Sequence, residues 1–88
     1  MISQTVRLLY FARLREDLGC AEETIELPAG VDSVAGLREH LMARGSAWRE
    51  GLAQGRALQV AVNQDMAQPG TPVRPGDEVA FFPPVTGG

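Results

Sequence analysis

Lysine is absent from this 88-residue chain; all eight basic residues are arginine. No side-chain amine on this chain can therefore form a Schiff base or an isopeptide bond. There is one cysteine, Cys20, and one histidine, His40. A lone thiol excludes an internal disulfide, a Cys-rich zinc site and a Cys-ligated iron–sulfur cluster within one chain. A lone imidazole excludes a multi-histidine metal site. No apolar run approaches the ~20 residues needed to cross a membrane. The first residues lack the basic stretch and apolar core of a secretory signal, so a cytoplasmic protein is expected. A basic excess is also missing: eight basic against eleven acidic residues leave a net charge of −3. An acidic chain is a poor candidate for the salt-dependent phosphate contacts of nucleic-acid binding. Apolar residues make up 44%, as in an ordinary soluble domain. At this length there is room for one core and no second domain.

What is present reads as an alternation of short elements. Thr5 to Phe11 has strand character, with Val6, Leu8 and Tyr10 on one face and Arg7, Leu9 and Phe11 on the other. Ala12 to Leu18 reads as a short helix stopped by Gly19. Glu22 to Leu27 reads as a second strand, ended by Pro28-Ala29-Gly30. Ser33 is an N-cap for a helix with Val34, Leu37, Leu41 and Met42 at helical spacing, and Gly45 is its expected stop. Ala47 to Leu52 suggests a further short helix. Leu58 to Val62 and Glu78 to Phe82 read as strands, with turns between them and Met66 between the turns. Pro83-Pro84 prevents further ladder pairing. The expected fold class is α+β: a mixed sheet of four to five strands with one main helix on one face. Its core is expected from Val6, Leu8, Ile25, Leu27, Val34, Leu37, Leu41, Val79 and Phe81.

Little in this pattern could do chemistry. Cys20 precedes Glu22 and Glu23, which would raise a thiol's pKa rather than activate it. His40 stands beside Glu39 on the main helix, with no nucleophile at motif spacing. The carboxylates are scattered among arginines, as on a solvated surface. No glycine-rich phosphate loop occurs. The C-terminus is different. After two aromatics and two prolines the sequence ends Val85-Thr86-Gly87-Gly88. Glycines lack Cβ atoms, so bare backbone can enter a channel too narrow for side chains. A carboxylate is a poor electrophile, but as an acyl-adenylate it has a good leaving group that a sulfur nucleophile can replace. Such a tail suits a chain that is itself the reacting group of another enzyme.

The stretch from Asp77 to Gly88, Asp-Glu-Val-Ala-Phe-Phe-Pro-Pro-Val-Thr-Gly-Gly, resembles the C-terminal signature of the small subunits of molybdopterin synthase. These are a branch of the ubiquitin-like β-grasp sulfur carriers. Tyr10 to Glu16, Val34 to Leu41 and Ala61-Val62-Asn63-Gln64 are similar to the same family, so the resemblance spans essentially the whole chain. It departs in having no lysine, which a carrier does not need. The resemblance implies a β-grasp domain over residues 1–82 and a flexible, extended tail over 83–88. It implies that Gly88 is adenylated by a ubiquitin-activating-like adenylyltransferase using ATP, then converted to a thiocarboxylate, with Gly87 as its slim neighbour. The thiocarboxylate would give sulfur to cyclic pyranopterin monophosphate, in the synthesis of the molybdenum cofactor. It further implies docking on a large synthase subunit, in a heterotetramer of two small and two large chains. No metal and no bound cofactor are expected, and neither nucleic acid nor membrane as partner. Alone, the chain would be non-catalytic.

Strand parity and the resemblance converge on a partner face. Phe11 shares a face with Arg7, and Phe82 shares one with Glu78, so both aromatics fall on the wetter side. Clustered exposed aromatics mark an interaction surface. The resemblance adds Arg15 and Met66 nearby, and Pro83, Val85 and Thr86 along the tail. Two other roles share the same chemistry: a sulfur carrier for thiamine or tRNA thiolation, and a ubiquitin-like protein modifier.

Overall fold

The computed structural model describes residues 4–53 and 58–83. Among them the chain forms β1 (Thr5–Tyr10), α1 (Ala12–Leu18), β2 (Glu22–Glu26), α2 (Val34–Met42), α3 (Ser46–Gly51), β3 (Gln59–Val62), β4 (Asp65–Met66) and β5 (Glu78–Phe82). The strands make one five-stranded sheet in the order β2-β1-β5-β3-β4. β1 and β5 pair in parallel at its centre, with Leu8 opposite Val79 and Tyr10 opposite Phe81. The other three pairings are antiparallel. The sheet is therefore mixed, as expected, and the first and last described strands meet in its middle.

Local chemistry explains most boundaries. Gly19 takes a left-handed φ of 67° after α1, and the amide of Cys20 reaches back to the Arg15 carbonyl at 3.2 Å. This arrangement satisfies carbonyls that a helix end would leave bare. Ser33 caps α2 as expected, its hydroxyl accepting from the Gly36 amide at 3.2 Å. Asn63 and Gln64 both have positive φ, 51° and 71°, so the β3–β4 hairpin turns in the sense that matches strand twist. The Asn63 side chain then ties that turn to β5: it donates to Asp77 and accepts from the Glu78 amide, each at 3.0 Å.

Three expectations are corrected. Gly45 does not close α2. That helix ends through the Ala43 amide bonding to the Glu39 carbonyl, and Gly45 instead leads into α3 as its N-cap. β1 stops at Tyr10, and Phe11 becomes the extended residue before α1. Ile25 and Leu27 only flank the core because β2 is an edge strand. The other seven expected core residues are buried. They are joined by Tyr10, Leu14, Leu52, Val60, Val62 and Val73. α1 and α3 thus add to the layer that α2 begins.

Tyr10 connects the layers. Its ring stacks on Phe81 at 5.9 Å and meets Trp48 edge-on at 5.5 Å. Its hydroxyl donates to Glu23 at 2.9 Å, and Arg44 donates to the same carboxylate oxygen at 2.7 Å. The Arg44 guanidinium also lies over Trp48, 4.6 Å from the ring centre. Burial, followed by the bond to Glu23, pushes the Tyr10 phenol far above its ordinary range. Burial also pushes the Glu23 carboxyl up, but the hydrogen bonds from Arg44 and Tyr10 outweigh it and leave Glu23 below its ordinary value.

Two outcomes follow. Leu37 is fully buried, and Leu37→Ala should cost about 2–5 kcal/mol in denaturant unfolding. Glu23 stabilises the fold fully above its unfolded-state pKa, and that contribution is lost as acidification carries the carboxyl through its lowered folded-state pKa. Glu23→Gln should therefore lower stability at neutral pH by roughly 0.5–1.5 kcal/mol and flatten the acid limb of the stability curve, read by urea titrations across pH. An unchanged acid limb would show that the carboxylate is not the group being titrated.

Candidate functional site

Side chains alternate along a strand, so a sheet covered by helices on one side presents the other parity to its surroundings. The register lines up that outward set in rows. Leu9 of β1 faces Ala80 of β5, Ala80 faces Ala61 of β3, and Ala61 faces Met66 of β4. This row is apolar across four strands. The next row runs from Phe82 to Gln59. The Phe11 amide donates to the Phe81 carbonyl at 3.2 Å, carrying the parallel ladder one step past Tyr10 and setting Phe11 beside Phe82. A row on the other side of Leu9 is charged: Arg7 faces Glu78, and Arg7 also bonds Glu22 through its Nε at 3.1 Å.

Exposure follows the same map. Phe11 and Met66 are the exposed large hydrophobic residues of the described chain, at 48% and 64%. Phe82 is half-buried. Strand parity thus placed Phe11 and Phe82 correctly on the outward face, and Met66 joins them there. Arg15 is exposed on α1, off these rows. Pro83 follows β5 and is partly buried. Val85, Thr86, Gly87 and Gly88 lie outside the described residues. Because β1 and β5 run in parallel, Phe11 and Phe82 mark the end of the sheet at which β5 hands the chain on toward those residues.

Leu9 and Ala80, both half-buried, complete the apolar surface, with Ala61 buried between Ala80 and Met66, and sequence reasoning did not single them out. Their signal was available in the strand alternation: Leu9 lies between Arg7 and Phe11 on one parity, and Ala80 between Glu78 and Phe82. Ala12 has a φ of 54°, a left-handed conformation uncommon for a residue with a Cβ. It turns the chain from β1 into α1 directly after Phe11. No sequence pattern announced it.

The remaining candidates stay outside the site. Cys20 is partly exposed, and its thiol approaches the Glu22 carbonyl at 3.5 Å. Partial burial, then the Glu23 carboxylate, pushes the thiol's pKa up, so it is poorly suited to act as a nucleophile. His40 is exposed in the last turn of α2. Among the described residues no cluster of His, Cys, Asp or Glu could hold a metal ion. No described helix is long and apolar enough to cross a membrane. The described surface presents outward apolar side chains beside the end of β5. It has no acid–base pair poised for catalysis.

Known proteins resemble this chain in sequence and fold. The model of the ThiS family matches residues 8–88. The molybdopterin synthase sulfur carrier subunit of Escherichia coli is 42% identical over 83 residues, covering 94% of this chain and 99% of that protein. Among solved structures, a putative molybdopterin converting factor subunit 1 from Pyrococcus furiosus superposes with a TM-score of 0.75 at 35% identity, over 92% of this chain and 98% of that one. A complex of subunits 1 and 2 of the molybdopterin-converting factor from Helicobacter pylori contains a chain that matches with a TM-score of 0.64 at 24% identity, over 96% and 99%. The ubiquitin-like β-grasp sheet, the full-length likeness to the Escherichia coli protein and the match from the first strand through Gly88 together place this chain in the ThiS family.

Proposed function

We propose that this protein is the sulfur-carrying small subunit of a molybdopterin synthase. One observation carries the reading most strongly. Phe11, Phe82 and Met66 form an outward apolar surface, and its two phenylalanines sit at the end of the sheet from which the chain proceeds to Gly87-Gly88. A partner seated on that surface would be placed to receive the chain's end. The 42% identity to a sulfur carrier subunit favours this branch over thiamine or tRNA thiolation and over protein modification.

The chemistry divides between this chain and its partners. A ubiquitin-activating-like adenylyltransferase binds ATP, and the Gly88 carboxylate attacks its α-phosphorus with loss of pyrophosphate. A sulfur nucleophile then displaces AMP and leaves a thiocarboxylate. The missing side chains of Gly87 and Gly88 let the backbone thread a narrow channel in each partner. In the large synthase subunit the sulfur passes to cyclic pyranopterin monophosphate, and water returns the terminus to a carboxylate. The large subunit supplies cations for the anionic thiocarboxylate and the acid–base groups. This chain contributes the docking surface, through Phe11, Met66, Phe82 and Pro83, with Arg15 at its margin. Val85 and Thr86 line the inserted tail. Two small and two large chains make the assembly, which works in the cytoplasm with its ATP supply.

The terminus provides the decisive experiment. Incubation with the cognate adenylyltransferase, ATP and a sulfide source should replace one oxygen by sulfur, read by intact mass. The large subunit and pyranopterin should then restore the carboxylate. Deleting Gly88 should abolish the exchange while leaving thermal unfolding unchanged. A misplacement of ~1 Å can cost about 10²-fold in rate, and one residue shifts the carboxyl by ~3.3–3.6 Å. Sulfur transfer at the wild-type rate without Gly88, or recovery of isopeptide conjugates instead of thiocarboxylate, would overturn the reading.

The docking surface is tested separately. Phe82→Glu should leave the domain folded, because the ring points away from the core, and should weaken binding to the large subunit by about 2 kcal/mol or more in titration calorimetry. Loss of the folded state in this variant would show that Phe82 belongs to the core.

A further inference from the structure

Three described residues that carry a Cβ have a positive φ: Ala12 at 54°, Asn63 at 51° and Gln64 at 71°. The last two make the β3–β4 turn, where Asn63 is held by side-chain hydrogen bonds to Asp77 and to the Glu78 amide. Elsewhere the chain passes through this region at glycines, among them Gly19, Gly30 and Gly76. Glycine adopts it freely, whereas a Cβ is crowded against the backbone. Ala12 has neither advantage. Its methyl cannot hydrogen-bond, and the residue is exposed, so burial offsets little of the strain. Strain of this kind collects where function needs one fixed geometry.

What Ala12 fixes is its neighbour. Phe11 is extended and 48% exposed, and its amide is bonded to the Phe81 carbonyl. That bond holds the residue from the β1 side. On the other side no side chain caps α1, so the entry to the helix is set by the backbone of Ala12. Leu14, three residues beyond Phe11, is already in the core. The chain therefore crosses from the outward face of the sheet to the helix layer within three residues, and the left-handed turn at Ala12 redirects it in one step. A Cβ confines residue 12 to a narrow backbone well. With glycine there, φ and ψ would range widely and the Phe11 ring would lose its fixed place beside Phe82. An anchor already held in its bound orientation binds more tightly, because less freedom is lost on association.

We propose that Ala12 is a positioning residue of the docking surface: its restricted, strained backbone holds Phe11 ready for the protein that seats on the sheet. This inference rests on the docking reading above and adds to it the device that presents one of its two phenylalanines. It carries an unusual pair of signs. Relaxing residue 12 should leave the fold as stable or more stable, and should weaken docking.

The test is titration calorimetry of the molybdopterin synthase large subunit against five forms of the full chain, each also followed by thermal unfolding: wild type, Ala12→Gly, Ala12→Asn, Phe11→Ala and the double variant Phe11→Ala/Ala12→Gly. Glycine removes both the strain and the restriction. Asparagine tolerates the left-handed region but keeps a Cβ, and so keeps the restriction. Ala12→Gly should unfold at the wild-type temperature or above and bind about three- to fivefold more weakly. Ala12→Asn should bind like wild type. In the double variant the loss due to glycine should vanish, because no ring remains to be held. A loss that persists without the Phe11 ring, or an Ala12→Asn variant as weak as Ala12→Gly, would show that the methyl touches the partner directly and would overturn the proposal. Wild-type affinity in Ala12→Gly beside weak binding in Phe11→Ala would overturn it as well, leaving Ala12 a structural residue only. If Phe11→Ala itself binds like wild type, it is the docking reading that has failed.

Discussion

β5 is hydrogen-bonded along both of its edges, to β1 in parallel and to β3 antiparallel, and the rest of the molecule is arranged about it. Its five residues divide strictly by parity. Val79 and Phe81 enter the core, where Phe81 stacks on Tyr10. Glu78, Ala80 and Phe82 face outward, in register with Arg7, Leu9 and Phe11 of the neighbouring strand. A shift of one residue would exchange the two sets and bury Glu78 among leucines. The pairing that forms the core therefore also composes the proposed docking surface.

Charge borders that surface at the β2 edge, where Glu22 stands opposite Leu9. The Arg7–Glu22 pair lies at one end of the outward rows, largely exposed. The Glu23–Arg44 pair lies on the opposite parity of β2, where it receives the Tyr10 hydroxyl that would otherwise be stranded beside the core. Pairs of the first kind add little to stability. The second matters more because three groups satisfy one another over a packed aromatic cluster.

Most of this was legible in the sequence wherever alternation or capping chemistry spoke clearly. α1 and β5 have the expected bounds, Ser33 caps α2, and the parity of Phe11 and Phe82 holds. Leu9 and Ala80 could have been read from the same alternation; the rest of what escaped had no local signal. Val73 is buried in a segment between turns because its amide bonds to the Asp32 carbonyl across the chain. Leu14 and Leu52 are core residues only because α3 lies close on α1, where a Cβ on Gly51 would stand 3.0 Å from Leu14. Ile25 and Leu27 had the right parity, but an edge strand has a neighbour on one side only. The buried Nη2 of Arg38, without a partner among the described residues, is a fact of three dimensions: on a helical repeat Arg38 looks like any solvated arginine.

The parallel pairing of β1 with β5 also governs when the molecule can come into being. These two strands are at opposite ends of the described chain, so the central ladder closes a loop that encloses nearly everything else. Long-range pairing of this kind is intrinsically slow, because the entropy of closing the loop is spent before the contacts form. During synthesis the early strands and helices emerge first but have no central strand to pack around. The sheet can be completed only after residues 78–82 have left the ribosome. A chain broken off before that point lacks the middle of its sheet rather than a dispensable edge. It would be left with exposed strand edges that chaperones and proteases recognise, and it would not circulate as a folded carrier without its end.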